Sequence, residues 1–108
     1  MNNWSIPDWL EREVLDRDTA CVYCGCKFDG STSDRRLKPS WEHIINDAKI
    51  ITRENIARCC VGCNASKGAK PLLEWLDSSY CQRKGISEST VAPVVQAAIR
   101  VARSYTST

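Results

Sequence analysis

Two C-x-x-C pairs constrain this chain more than any other feature: Cys21 and Cys24 in Cys21-Val-Tyr-Cys24-Gly, and Cys60 and Cys63 in Cys60-Val-Gly-Cys63-Asn64. Each pair can put two sulfurs on one ion from a single tight turn, and together they make the tetrahedral four-thiolate set that zinc favours. Closing such a set forces two turns that are distant in the chain into contact. At 108 residues the chain has length for one domain, spanning 1–108. A core of that size buries a limited share of the surface, so a metal staple is physically reasonable.

Seven cysteines leave Cys26, Cys59 and Cys81 outside this set. Cys59 competes with Cys60, but only Cys60 has the C-x-x-C spacing, so the other three are expected to be packed or free thiols. No charged leader with an apolar core and cleavage site is evident, nor an apolar run long enough to cross a bilayer. A cytoplasmic location without a membrane partner is therefore expected. In a reducing compartment, paired cysteines read as metal ligands rather than disulfides.

The insert between the pairs, together with the residue just after Cys63, carries donors that a purely structural zinc clip does not require: Glu42, His43, Asn55 and Asn64. The net charge of +2 says little by itself, but its distribution is uneven. Residues 1–20 are mainly acidic, whereas residues 47–70 carry Lys49, Arg53, Arg58, Lys67 and Lys70 against Asp47 and Glu54. Positive charge gathered around the candidate site is the footprint of a polyanionic partner, as well as that of an ordinary solvated surface.

The periodicity predicts an N-terminal helix over about 6–17, capped by Ser5 with Asp8 and burying Ile6, Trp9, Leu10 and Val14. Residues 29–39 read as a loop closed by Pro39. Ser40–Ile45 has the content of a short strand, with Lys49–Thr52 as its antiparallel partner across 46–48. Glu42 and His43 can serve one site only if that strand ends or bends there, because neighbouring strand residues face opposite ways. A short helix over 60–67 stops at Gly68, and Pro71 opens another through Leu72, Leu73, Trp75 and Leu76. The tail predicts a helix over about 89–105 with Val91, Val94, Val95, Ala98, Val101, Ala102 and Tyr105 on one stripe that packs on the core.

Cys21-x-x-Cys24, Glu42-His43-Ile44, Asn55-Ile56, Cys60-x-x-Cys63-Asn64 and Lys67-Gly68, in this order and spacing, make residues 21–76 resemble an HNH endonuclease domain in its four-cysteine, zinc-binding form. The resemblance implies an α+β fold: a small ββα-metal core with a zinc knuckle, flanked here by the N- and C-terminal helices. It implies that His43 is the general base activating water for attack on a DNA phosphodiester. An imidazole titrating near neutrality suits that work. It puts Glu42, where aspartate is commoner, and Asn64 on a catalytic divalent ion, and gives Asn55 the task of holding the His43 loop through backbone hydrogen bonds. Hard oxygen donors of this kind favour Mg2+ or Mn2+ over zinc. The implied product carries a 5′ phosphate.

Lys67 lies three residues from Asn64 and is expected to share its helix face and stabilise phosphate charge, while Arg58 and Lys70 are candidates to guide the strand. Two other classes compete with the nuclease reading. One is a noncatalytic zinc module that binds nucleic acid or protein. The other is an accessory subunit whose C-terminal stripe docks on a larger partner. A homodimer is a further possibility, since a coordinated cut of both strands would need two sites.

Overall fold

The computed structural model describes residues 5–106. Its elements run α1 (Asp8–Arg17), β1 (Pro39–His43), β2 (Ile56–Cys60), α2 (Val61–Lys67), α3 (Leu72–Leu76), α4 (Ser79–Lys84) and α5 (Pro93–Thr106), with a single 3-10 turn at Arg35–Leu37. The arrangement is a small mixed α+β fold around a two-stranded sheet.

Helix α1 starts at Asp8, two residues later than its apolar pattern suggests, and Ser5 does not cap it. Pro7 is extended ahead of the helix, and a residue preceding proline is driven out of the α region, so Ile6 cannot begin a helix. Ile6, Leu10 and Val14 are nonetheless buried, forming a cluster with Ile56 that Trp41 and Ile51 pack against. Trp9 lies one position off this four-residue repeat and is 54% exposed. The Arg53 guanidinium, paired with Glu13 at 2.6 Å, sits 5.7 Å from its ring centre.

The sheet corrects the expected hairpin. β1 pairs antiparallel with β2, placing Trp41 opposite Arg58, Glu42 opposite Ala57 and His43 opposite Ile56. Lys49–Thr52 is not a strand. The segment 44–55 is a loop closed from inside by Asn55, whose Oδ1 accepts from Ile45 N at 2.7 Å. Its Nδ2 donates to the carbonyls of Ile45 and Ile50 at 3.2 and 3.1 Å. A side-chain amide thus meets backbone groups that a partner strand would otherwise meet, and Ile51 is used for packing against α1.

The outer edge of β2 is also covered. Asp18, buried at the end of α1, accepts from Arg58 N at 3.0 Å and from both arms of Arg17 at 2.7 and 2.8 Å. Arg17 also donates to Ile56 O at 2.8 Å, and Val22 N donates to Arg58 O at 3.1 Å. The strand edge at Ile56 and Arg58 is thereby covered without a third strand.

On the far side of the sheet, Ala57 and Cys59 join Tyr23, Ile44, Trp75, Val91, Val95 and Ile99 in a larger core. Helix α2 stops at Gly68, whose φ of 50° favours glycine. Helix α4 is not foreshadowed by apolar periodicity; its ends are local, with Ser78 Oγ accepting from Cys81 N and Gly85 in the left-handed region. Helix α5 begins at Pro93, and the tail stripe is only partly core. Val91, Val95, Ala98 and Ile99 are buried, but Val101 and Tyr105 are 54% and 83% exposed.

Asp18→Ala would remove the acceptor of the part-buried Arg58 N–H and break the Arg17–Asp18 pair, leaving Arg17 only its backbone acceptors, a loss of about 1–3 kcal/mol. Urea denaturation should show a correspondingly lower midpoint; an unchanged midpoint would contradict this account of the sheet edge.

Candidate metal centre and active site

The C-x-x-C turns meet. The sulfurs of Cys21, Cys24, Cys60 and Cys63 all lie within 4.8 Å of one another, three of the residues buried and Cys24 half-buried. The Cys24 and Cys60 sulfurs are 3.8 Å apart. That is the edge of a tetrahedron whose centre-to-sulfur distance is about 2.3 Å, the zinc–thiolate length. Both turns aim a backbone N–H at their first sulfur, Cys24 N to Cys21 Sγ and Cys63 N to Cys60 Sγ, each at 3.4 Å. Cys60 is at once the last residue of β2 and the cap of α2, so strand, turn and helix share one anchor.

Charge in the cluster points the same way. Hydrogen bonds with Cys21 and Cys60 drive the Cys24 thiol far below its ordinary pKa, while those with Cys21 and Cys24 push Cys63 far above it. For all four sulfurs to ionise at this separation a cation is needed among them, and an all-sulfur tetrahedral set fits zinc. Tyr80, which no motif or spacing singles out, donates its hydroxyl to Cys63 Sγ at 3.4 Å.

The other cysteines are not among these four, although Cys26 is near enough to interact with Cys24 and Cys60. Cys59 is buried on β2, and strand alternation turns it to the opposite face from Cys60; its sulfur lies 3.8 Å from Ser40 Oγ. The Cys26 sulfur lies 3.8 Å from Leu37 O, and desolvation pushes its pKa up to about 11. Cys81 is buried in α4.

β1 ends at His43. By alternation Glu42 shares a face with Ala57 and Cys59, and His43 shares the other with Trp41 and Ile56. Both residues are buried. Burial holds the His43 imidazole below its ordinary pKa; Glu42 and Asp47 oppose the shift and Lys67 adds to it. A neutral ring at pH 7 can accept a proton.

Glu42 is not presented to solvent. Its Oε2 accepts the Tyr23 hydroxyl at 2.6 Å and lies 3.1 Å from Lys67 Nζ. Tyr23 sits inside the first cysteine turn, with its ring edge-on to Trp75 at 4.8 Å. Its place between Cys21 and Cys24 is the one sequence signal that points to it.

Lys67 differs from the expected exposed phosphate contact. Its side chain is 1% exposed, and its Nζ also approaches His43 O at 3.5 Å. The carboxylate therefore already has an ammonium and a phenol on the same oxygen, and a divalent ion does not fit beside them on that oxygen. Asn64 stitches α2 to β1, its Nδ2 donating to Ser40 Oγ and Trp41 O, both at 3.0 Å.

Of the remaining basic candidates, Arg58 is half-buried between Phe28 and Trp41, its guanidinium 5.2 and 5.9 Å from the two ring centres. Lys70 is exposed, with its Nζ donating to Ser66 O at 3.1 Å. No described helix is long and apolar enough to cross a membrane.

Comparison with known proteins adds one relative. The chain is 29% identical over 84 residues to the CRISPR-associated endonuclease Cas9 of Corynebacterium diphtheriae; the match covers 75% of this chain and 7% of that protein. The chain thus corresponds to a small part of the relative's length. No family model matches, and no solved structure matches.

Cys63→Ser should lower zinc content and thermal stability together, whereas Cys26→Ser should retain zinc, because the Cys26 sulfur lies outside the cluster. Metal analysis beside thermal melting of the two variants checks this. Full zinc loading in Cys63→Ser would contradict the four-sulfur site.

Proposed function

We propose that the chain is an HNH-type endonuclease of the ββα-metal fold that hydrolyses DNA phosphodiester bonds, with structural zinc on Cys21, Cys24, Cys60 and Cys63. The observation that carries this reading is the junction of β1, β2 and α2. There the strand end bearing Glu42 and His43 abuts the helix bearing Asn64, and Asn55 ties down the loop that follows. The similarity to a protein named as an endonuclease supports the same class.

In this reading His43 takes the proton of a water molecule as its oxygen attacks phosphorus. The bond from phosphorus to the 3′ oxygen breaks, leaving a 5′ phosphate, and the departing oxygen takes a proton from solvent. Asn55 positions His43 by fixing the backbone from Ile45 to Ile50. Arg58 and Lys70 contribute positive charge near the strand. The Mg2+ or Mn2+ implied by the family resemblance would supply Lewis-acid stabilisation of the phosphate, and Glu42 can offer its Oε2 to such an ion only after Lys67 has left it.

A noncatalytic zinc module that binds nucleic acid or protein is the second reading. The burial of His43 and the neutralised Glu42 favour it.

Cleavage of supercoiled plasmid separates the two. Zinc-loaded protein with Mg2+ or Mn2+ should nick the plasmid, and a folded His43→Ala variant should lose about 10²–10⁴-fold in rate. Absence of cutting by the wild type on duplex, nicked and single-stranded DNA would move the conclusion to the binding module.

A further inference from the structure

We propose that Lys67 is the resident counter-ion of Glu42, and that it keeps divalent cations off this carboxylate in the free protein. The inference rests on reading Glu42 as the carboxylate at the reaction centre.

A divalent ion at Glu42 Oε2 would have to compete with two groups already held there. Mg2+ binds oxygen at about 2.0–2.1 Å and demands near-octahedral space, with one or two carboxylates supplying the charge. Here one oxygen of the single carboxylate carries Lys67 Nζ at 3.1 Å and the Tyr23 hydroxyl at 2.6 Å. A dication on that oxygen would sit against a buried ammonium, where like charges repel far more strongly than in water. The pair it would join is already neutral.

Nor is Lys67 loosely placed. It is one turn beyond Cys63 on α2, its side chain is 1% exposed, and its Nζ has a second acceptor in His43 O at 3.5 Å. Swinging it out would strand Glu42 beside Tyr23 without a counter-charge, a costly state for a buried ion. The two cysteine turns deliver both partners of Glu42: Tyr23 from within the first, Lys67 from the helix that the second begins. The lysine expected to meet substrate phosphate is spent on the protein's own carboxylate.

The test is Mn2+ binding to the zinc-loaded chain, followed by the loss of the free-ion paramagnetic resonance signal. Mn2+ prefers oxygen donors, so the sulfur cluster does not compete for it. Wild type should show no Mn2+ site that depends on Glu42, as judged against Glu42→Gln. Lys67→Met should gain such a site, about tenfold tighter or more than any residual binding in the wild type. Glu42→Gln/Lys67→Met should lose it, and Lys67→Arg, which keeps the charge, should not acquire it. Wild-type binding that Glu42→Gln abolishes and Lys67→Met leaves unchanged would overturn the proposal, as would Lys67→Met gaining no site while folded and zinc-loaded. If Lys67→Met fails to fold, wild type against Glu42→Gln decides: Glu42-dependent binding in the wild type contradicts the proposal and its absence supports it. The nuclease reading fails separately, on plasmid cleavage that ignores His43, and that result does not alter the Mn2+ outcome.

Discussion

The convergence of four cysteine sulfurs is the constraint on which the rest of this structure depends. Cys60 closes β2 and caps α2, and the first turn is tied to the same strand by the bond from Val22 N to Arg58 O. Joining the turns therefore fixes the angle at which α2 leaves the sheet. It also fixes what the turns carry. Tyr23 reaches Glu42 from inside the first turn, and Lys67 reaches it from the helix that starts at the second. Without the cluster, a pleat of two short strands would have to orient these groups unaided, and two-stranded sheets are marginal in water.

Around that anchor the sheet is covered on both faces. Ile6, Leu10 and Val14 seal the side of Ile56, and the larger core of Tyr23, Trp75 and the start of α5 seals the side of Ala57. Polar groups are buried between them with defined partners: Asp18 with Arg17 and Arg58, Asn55 with the loop backbone, Glu42 with Tyr23 and Lys67. Each such group is costly to strand, so these contacts specify the loop and the strand edge as much as they stabilise them. Glu42 and Lys67 show how this bears on function, since a carboxylate that the fold has already neutralised is a different reagent from one open to solvent.

Much of this was legible in the sequence, and the misses have physical causes. The cysteine spacing announced the cluster, and glycine and proline punctuation announced α2 and α3, because both are local signals. Strand pairing is not local. Ile50 and Ile51 look like a strand, and only the reach of the Asn55 side chain, which composition does not reveal, makes their segment a loop and assigns β2 to Ile56–Cys60. Trp9, Val101 and Tyr105 fit apolar periodicities and are exposed, since periodicity gives a face but not how far the core extends beneath it. The candidate site was legible as residue types: Glu42, His43, Asn55 and Asn64 stand in order along the chain. Illegible was the pairing of Glu42 with Lys67. It depends on the direction in which α2 leaves the cluster, and a lysine in a basic stretch reads as solvent-facing until that direction is known.

The claim at the centre of this account is that the metal-closed cysteine cluster holds the strand end bearing Glu42 and His43 in place. Amide hydrogen exchange of β1 and β2, compared between zinc-loaded and zinc-stripped protein, tests it most directly. The account predicts strong protection of the paired amides from Ser40 to His43 with zinc and exchange near the unfolded rate without it. Equal protection in both states would contradict it and would mean that packing alone builds the site.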